Sequence, residues 1–339
     1  MKSIYRLIKI NRLLRSARIK FLLVLLADIF HIRHLFLRLD PVNACNLSCA
    51  MCYYSDKAYA KRIRGRFSVE ELERINGLFF KRTLQLVIGC GSEPTLYRHY
   101  PELVRSARNA GIPFIGITTN GLLMNRDQLA RLVDYGLDEI TVSVHGVRQS
   151  TYENLMVGGS YAKLHEVLGA LLEIKAAQRS SKPALRINYT VNQQNLDELK
   201  SFFSVYGKYR IATLQIRPMV DVGHTAYSYS PLDERALKSY HDIISELEKE
   251  CKELNVTLLA TKKDPNFHKE DHSTSYALPA VLRHIHPNKV WMNDFQWRTE
   301  SYREYCQRSE WRKTLFQSIF SQNEYFRTTK HHLTYDVDL

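Results

Sequence analysis

Cys45, Cys49 and Cys52 fall within eight residues, spaced Cys-x3-Cys-x2-Cys. Three thiols in one loop can wrap a metal centre, because thiolates are soft ligands that suit iron–sulfur clusters, zinc or copper(I). A four-iron cluster ordinarily takes four cysteines. Three neighbouring ligands therefore leave one position open, and an open position is the mark of a reactive metal rather than a structural one. A zinc site of this type needs a fourth cysteine or histidine nearby. The next cysteine after Cys52 is Cys90, so zinc is the weaker reading.

Such a loop has to be held by regular structure. Leu35 to Asp40 reads as a strand that runs directly into it. Further strand patterns cover Leu84 to Gly89, Ile112 to Thr118, Glu139 to Val144, Leu185 to Val191 and Thr213 to Arg217. Helical patterns alternate with them: Ser68 to Lys81, Arg98 to Ala110, Arg126 to Tyr135, Tyr161 to Gln178, Leu196 to about Tyr206 and Pro231 to Leu254. Ser68 and Glu71 have capping-box spacing. Ser230 as N-cap with Pro231 at the first turn marks the start of the last helix. Six βα units imply an α/β fold with a parallel sheet. Catalytic groups then belong at the carboxyl ends of the strands, where the cysteine loop lies.

A second cluster of interest ends the second strand: Gly89, Cys90, Gly91, Ser92, Glu93 and Pro94. Glycines let backbone approach a ligand, and Glu93 offers a carboxylate to a cation. Taken alone it is an ordinary turn, but it stands one βα unit after the cysteine loop. The pair of features resembles the radical S-adenosylmethionine (SAM) superfamily over roughly residues 35 to 220. There, a Gly-Gly-Glu-Pro motif holds the methionine amino group of SAM. Gly91, Ser92, Glu93 and Pro94 match it, with serine for the second glycine.

The resemblance implies a partial (β/α)6 TIM-like barrel. It also implies that Cys45, Cys49 and Cys52 hold a [4Fe–4S] cluster whose open iron binds SAM. Reductive cleavage of SAM would then give a 5′-deoxyadenosyl radical that takes a hydrogen atom from substrate. An external one-electron donor of the flavodoxin or ferredoxin type is required. Relatives often carry an aromatic residue before the third cysteine; here Met51 stands there, followed by Tyr53 after Cys52, so adenine packing must be adapted or Met51 is core. In relatives the ends of the third and fourth strands line the SAM pocket, which points to Asn120 and Ser143; Asn120-Gly121 also suits a plain turn. Asn188, Gln215 and Arg217 on the fifth and sixth strands could face the lumen and meet substrate. Arg217 would bind a carboxylate or phosphate there, or else form a structural ion pair.

Composition bounds the rest. The 339 residues carry a net charge of +13, which favours anionic partners: a charged substrate, an anionic membrane surface or, ranked last, nucleic acid. Half of the six cysteines crowd into one loop, a pattern of a reducing, cytoplasmic setting rather than of a disulfide framework. The first twenty residues hold Lys2, Arg6, Lys9, Arg12, Arg15, Arg18 and Lys20 and no acidic residue. The apolar run from Phe21 to Ala27 is too short to span a bilayer, and no signal-peptide cleavage pattern follows. Residues 1–34 read either as helices packed on the barrel or as a basic amphipathic anchor on the inner face of a membrane. The barrel reads as 35–260, and 261–339 as a small appendage.

Beyond residue 220 only Cys251 and Cys306 occur. The appendage therefore resembles a degenerate form of the cysteine-rich, SPASM-like extension of peptide-modifying relatives, without its clusters. With no second cluster to accept an electron, a redox-neutral outcome is expected: epimerisation, rearrangement or radical addition. Cys306 or Cys90 could return a hydrogen atom to the substrate radical, since a thiol S–H bond is weak. The alternatives are a peptide-modifying enzyme and a non-catalytic iron–sulfur scaffold; the scaffold has no use for a SAM amino-group site.

Overall fold

The computed structural model describes residues 14, 16–219, 222–223, 225, 230–262, 265, 277–292 and 294–320. His268, His272 and the His331-His332 pair lie outside them. Eight parallel strands form one sheet. They are β1 (Leu35–Leu39), β2 (Thr83–Ile88), β3 (Phe114–Thr119), β4 (Glu139–Ser143), β5 (Ala184–Val191), β6 (Thr213–Pro218), β7 (Thr257–Leu259) and β8 (Leu282–Ile285). Their spatial order is β8-β1-β2-β3-β4-β5-β6-β7. Among the described residues the two end strands share no ladder, as in a partial barrel.

The six expected strands are all present, each within two residues of its predicted ends. Two more flank them. β7 has three residues, too few to show a period of two. β8 lies in a segment that reads as an appendage, yet Phe36 pairs with Leu282 and Leu39 with Ile285. The chain beyond residue 260 thus supplies one edge of the sheet. Its aromatic residues also close over the core: Trp291 stacks on Phe79 at 5.2 Å, and Tyr302 packs edge-on against both.

Alternation along each strand explains the two faces. Leu35, Leu37 and Leu39 of β1 are 0–1% exposed and join the core with Leu86, Ile88, Ile115, Ile117, Ile187 and Leu214. The helices outside the strands include α1 (Ala17–Ile29), α2 (Val69–Phe79), α3 (Tyr100–Asn109), α4 (Arg126–Asp134), α5 (Tyr161–Ala177), α6 (Phe202–Tyr206), α7 (Glu234–Glu253), α8 (Tyr302–Arg308) and α9 (Trp311–Phe320); α2 to α8 close that core, and α1 and α9 form a second, smaller cluster. Ser68 and Glu71 make the expected capping box on α2. The start of α7 differs: the Asp233 carboxylate, not Ser230, accepts from the Ala236 amide at 2.8 Å. A carboxylate at the N-cap also meets the positive end of the helix dipole, which a serine hydroxyl cannot match. The predicted helix from Leu196 is a 3-10 turn, Asp197–Ser201, followed by the single turn α6.

The opposite, inner face of the sheet is polar. Register places Arg38 beside His284, Ser143 beside Asn188, Asn188 beside Gln215, and Thr190 beside Arg217. Three arginines, Arg38, Arg186 and Arg217, share this face with one glutamate, Glu139. The interleaving of Leu185, Ile187 and Tyr189 with Arg186, Asn188 and Thr190 is the period-two signature of that arrangement.

Candidate active site at the strand ends

Asp40 organises the site, and it was not singled out in the sequence. It follows β1, is 2% exposed, and its own amide bonds to the Ile285 carbonyl of β8. Its carboxylate accepts from the Cys90 amide at 2.8 Å, the Gly91 amide at 3.0 Å, the Ser92 hydroxyl at 2.9 Å and His284 Nε2 at 2.5 Å. Burial alone would raise its pKa; the bond and charge of His284, with the other donors, reverse that and hold it below the ordinary value. Ser92, the departure from the glycine of the motif, is therefore used: its hydroxyl anchors the turn. Gly89 is required here for steric reasons, and at Gly91 a side chain would have to push the Tyr53 hydroxyl aside. At Gly89, with φ +78°, a Cβ would lie 2.4 Å from the Thr118 carbonyl, and at Gly91 it would lie 2.9 Å from the Tyr53 hydroxyl.

The cysteine loop and the Glu93 turn are built as one unit. The Glu93 amide bonds to the Ala44 carbonyl at 2.9 Å. Tyr53 donates its hydroxyl to the Gly91 carbonyl. The loop's far side is held by Ser48 and Ala50 amides on the carbonyls of Val157 and Leu155, each at 2.9 Å. Asn120 donates to Asn46 Oδ1 at 2.9 Å and lies 3.9 Å from Cys45 Sγ, while its Oδ1 accepts from the Leu122 amide. Its side chain thus braces the cysteine loop and makes the Asn-Gly turn.

Glu93 is 2% exposed. Its Oε1 accepts from the Thr95 amide, the Thr95 hydroxyl and the Thr119 hydroxyl at 3.1, 2.6 and 2.6 Å; its Oε2 accepts from the Asn120 amide at 2.8 Å. Burial raises its pKa, and these donors offset only part of that. Each carboxylate oxygen offers about two lone-pair sites; Oε1 is saturated, whereas Oε2 carries a single donor and keeps one site open.

The three thiols are likewise costly to ionise without a cation. Burial, with the charges of Glu93 and Cys52, pushes Cys45 up to about 12. Burial also raises Cys49 and Cys52, and for Cys49 the neighbouring thiols Cys52 and Cys45 add to it. A multi-charged cationic centre reverses this balance, since it stabilises thiolates outright. Among the described residues no three His, Cys, Asp or Glu side chains converge on a point suited to one ion. A polynuclear centre needs a different arrangement, with one thiolate per metal atom.

Met51 is 9% exposed and packs with Leu155 and Met219, its sulfur 3.0 Å from Asn192 Nδ2. Pro94 opens a buried 3-10 turn. Ser143 and Asn188 sit on the inner face, and the buried Asn188 Oδ1 has no hydrogen-bond partner among the described residues. Gln215 Oε1 is taken by Arg186 Nη2 at 2.5 Å, and Arg186 also meets Glu139 at 3.3 Å. Arg217 acts electrostatically on both Cys90 and His145.

The structure places Cys306 away from the site. Cys306 lies beside Tyr302, Asp28, Arg82 and Arg312, with Arg82 immediately preceding β2 and Asp28 preceding β1. It is at the amino ends of the strands, separated from the cysteine loop by a strand of about 3.3 Å per residue, or roughly 16 Å over the length of β1. It cannot serve as hydrogen donor at the strand carboxyl ends. Cys90 is at the correct end, close enough to Arg38, Arg217 and Asp40 to feel their charges, and burial keeps its thiol protonated with a pKa of about 12.

His145 also escaped notice as an individual residue. Its Nδ1 accepts from the Thr190 amide at 3.2 Å. Burial, with the Arg217 charge, lowers its pKa to about 4. The imidazole is therefore neutral, with its proton on Nε2. An unfolded chain protonates this histidine below about 6.5, whereas the folded chain resists until about 4. Stability should fall as pH drops through that window. Histidine NMR titration is expected to show one ring with a midpoint near 4 that disappears in His145→Gln; a midpoint near 6.5 would contradict the assignment.

A family profile described as "Radical SAM superfamily" matches residues 39–199. This part of the chain belongs to the radical SAM superfamily. The match is confined to residues 39–199, and the superfamily's cofactors are a [4Fe–4S] cluster and SAM. A "Probable GTP 3′,8-cyclase" of Saccharolobus solfataricus is 23% identical over 67% of this chain and 68% of its own length. Another, from Sulfolobus acidocaldarius, is 26% identical over 55% of this chain and 56% of its own. The chain thus spans between roughly half and two thirds of these curated relatives. The solved structure of Streptococcus suis SuiB bound to S-adenosylmethionine superposes with a TM-score of 0.62 at 14% identity, over 87% of this chain and 70% of SuiB. That likeness concerns the fold.

Proposed function

We propose that this radical SAM enzyme binds its cluster through Cys45, Cys49 and Cys52 and abstracts hydrogen from an anionic substrate held on the inner face of the sheet. The observation that carries the reading is the joint construction of the cysteine loop and the Glu93 turn. When bound, the cluster and SAM together supply a carbon-centred radical able to remove a hydrogen atom from substrate. The residues fit both groups: three desolvated thiols that need a cation, and a buried Glu93 Oε2 with room for an ammonium donor. Gly91, Ser92 and Pro94 fix that carboxylate, Ser143 offers a hydroxyl to the same space, and Tyr53 and Asn120 brace the two loops against each other. Met51 fills the floor beneath.

Substrate charge follows from the inner face, where Arg38, Arg186 and Arg217 outnumber Glu139. Arg217 with Arg38 would hold a carboxylate or phosphate, and Asn188 Oδ1 would accept from a substrate N–H or O–H. The names of the two curated relatives, with a nucleoside triphosphate in them, support the anionic class. A cytoplasmic one-electron donor of the flavodoxin or ferredoxin type completes the reaction.

The outcome we favour is redox-neutral. Cys90 carries its hydrogen at neutral pH and stands at the strand ends, so its S–H can return a hydrogen atom to the substrate radical. The resulting thiyl is restored by one further electron from the external donor and one proton from solvent. Turnover in heavy water should then place one deuterium in the product, and Cys90→Ala should still form 5′-deoxyadenosine while losing that label by at least tenfold. Undiminished label in the variant would remove Cys90 from the reaction without touching the cluster assignment.

A further inference from the structure

The outer face of α1 is a surface feature that the site leaves unexplained. Its inward side is ordinary core: Phe21 and Leu25, 3% and 8% exposed, pack with Trp311 and Leu315 of α9. Asp28 fixes the pair through an ion pair with Arg312 at 2.8 Å. The outward side should then be polar. Instead Ile19, Leu22, Leu23, Leu26, Ile29 and Phe30 are 38–68% exposed. Their spacing of three and four residues puts them on one helical stripe. On α9, Phe316 and Phe320 are 53% and 69% exposed and pack edge-on at 5.2 Å. A helix that presents apolar side chains both inward and outward at a protein surface needs a second covering.

We infer that this face docks on an anionic lipid bilayer, lying in the plane of the headgroups. Charge decides the occupant. Seven lysines and arginines and no acidic residue occupy positions 1–20, directly before and within the start of the stripe. Basic residues flanking an exposed apolar face match an anionic membrane surface. Crossing is excluded for this helix: thirteen residues at 1.5 Å each reach about 20 Å, against a hydrocarbon core of about 30 Å. Among the described residues no helix is long and apolar enough to cross a membrane. The stripe lies on the outside of the sheet layer, away from the cysteine loop, so docking and catalysis are separable.

The test is co-sedimentation of the full chain with vesicles of phosphatidylcholine alone and of phosphatidylcholine mixed two-to-one with phosphatidylglycerol. Wild type should bind the anionic vesicles at least tenfold more tightly, and added salt should weaken that binding. The combined Leu22→Glu, Leu23→Glu and Leu26→Glu variant should lose binding at least tenfold while keeping its circular dichroism and its yield of 5′-deoxyadenosine. Should that variant fail to fold, Arg12→Gln, Arg15→Gln and Arg18→Gln together leave the apolar face intact and should abolish the preference for phosphatidylglycerol. Equal binding to both vesicle types, or none to either, overturns the inference. So does a lipid-free dimer by sedimentation velocity that the leucine variant converts to monomer, since a second copy would then cover the face.

Discussion

Asp40→Ala is expected to cost about 3–5 kcal/mol of stability and to lower SAM cleavage by about a hundredfold. The stability figure follows from what the carboxylate holds. Two backbone amides, one hydroxyl and one imidazole converge on it. Each buried donor left unsatisfied costs on the order of 1–3 kcal/mol, and part of that is recovered as water enters. The activity figure follows from position. Without Asp40 the turn from Cys90 to Ser92 loses its register against the cysteine loop, and a displacement of about 1 Å in a positioning element is worth roughly 10²-fold. A purely structural role would lower the yield of folded protein alone. The account predicts in addition that the folded fraction binds SAM more weakly. Asp40→Asn, which keeps an acceptor oxygen but discards the charge facing His284, should fall between the two. Urea unfolding and equilibrium binding of SAM measure the two effects separately; wild-type affinity in folded Asp40→Ala would contradict the positioning role.

Cys49→Ala is expected to abolish the cluster. Two thiolates remain, and no other cysteine can replace the third. Cys251 is buried on α7 at 2% exposure. Cys306 lies at the opposite ends of the strands. Cys90 answers to Arg38, Arg217 and Asp40, whereas the charges bearing on Cys49 are those of Cys52, Cys45 and Glu93. Anaerobic reconstitution should give iron and sulfide near four of each per chain in wild type, in keeping with a four-iron centre, and near zero in the variant. The variant should fold about as well as the metal-free wild type, because removing Cys49 relieves a desolvated thiol and loses only a local contact with its own backbone amide. Iron retained in Cys49→Ala at the wild-type level would show that other ligands hold the metal.

The positions of chemistry along the chain were legible because the fold imposes them. A cysteine triplet after the first strand and an acidic turn after the second are separated by one βα unit, and parallel strands necessarily bring their carboxyl ends together. The strands themselves were readable from alternating branched residues such as those of β5. What escaped reading was the network between them. Asp40 and His284 are 244 residues apart, and nothing in either local sequence announces the pairing. β8 is four residues long within an aromatic, basic stretch, so no period of two could emerge. The chemistry of Cys306 suits a hydrogen donor, but its place beside Asp28 and Arg82, a strand's length from the cysteine loop, does not. Arg38 and Arg186 could have been found: each is the charged member of an alternating strand, a placement that buried sheets tolerate only where a face lines a cavity or meets a partner.

The charge of the inner face and the apolar stripe of α1 describe different ends of one activity. The first selects what enters the sheet, and the second sets where in the cell the enzyme would meet it. Neither depends on the other, and each has its own test. The first presupposes that the cysteine loop does redox chemistry.

That premise is tested most directly by incubating the anaerobically reconstituted protein with SAM and a strong one-electron reductant and measuring 5′-deoxyadenosine by chromatography. The account predicts its formation with methionine in equal amount, at a rate at least a hundredfold above Cys49→Ala. Formation no faster than in that variant, from protein shown to contain its iron and sulfide, would contradict it.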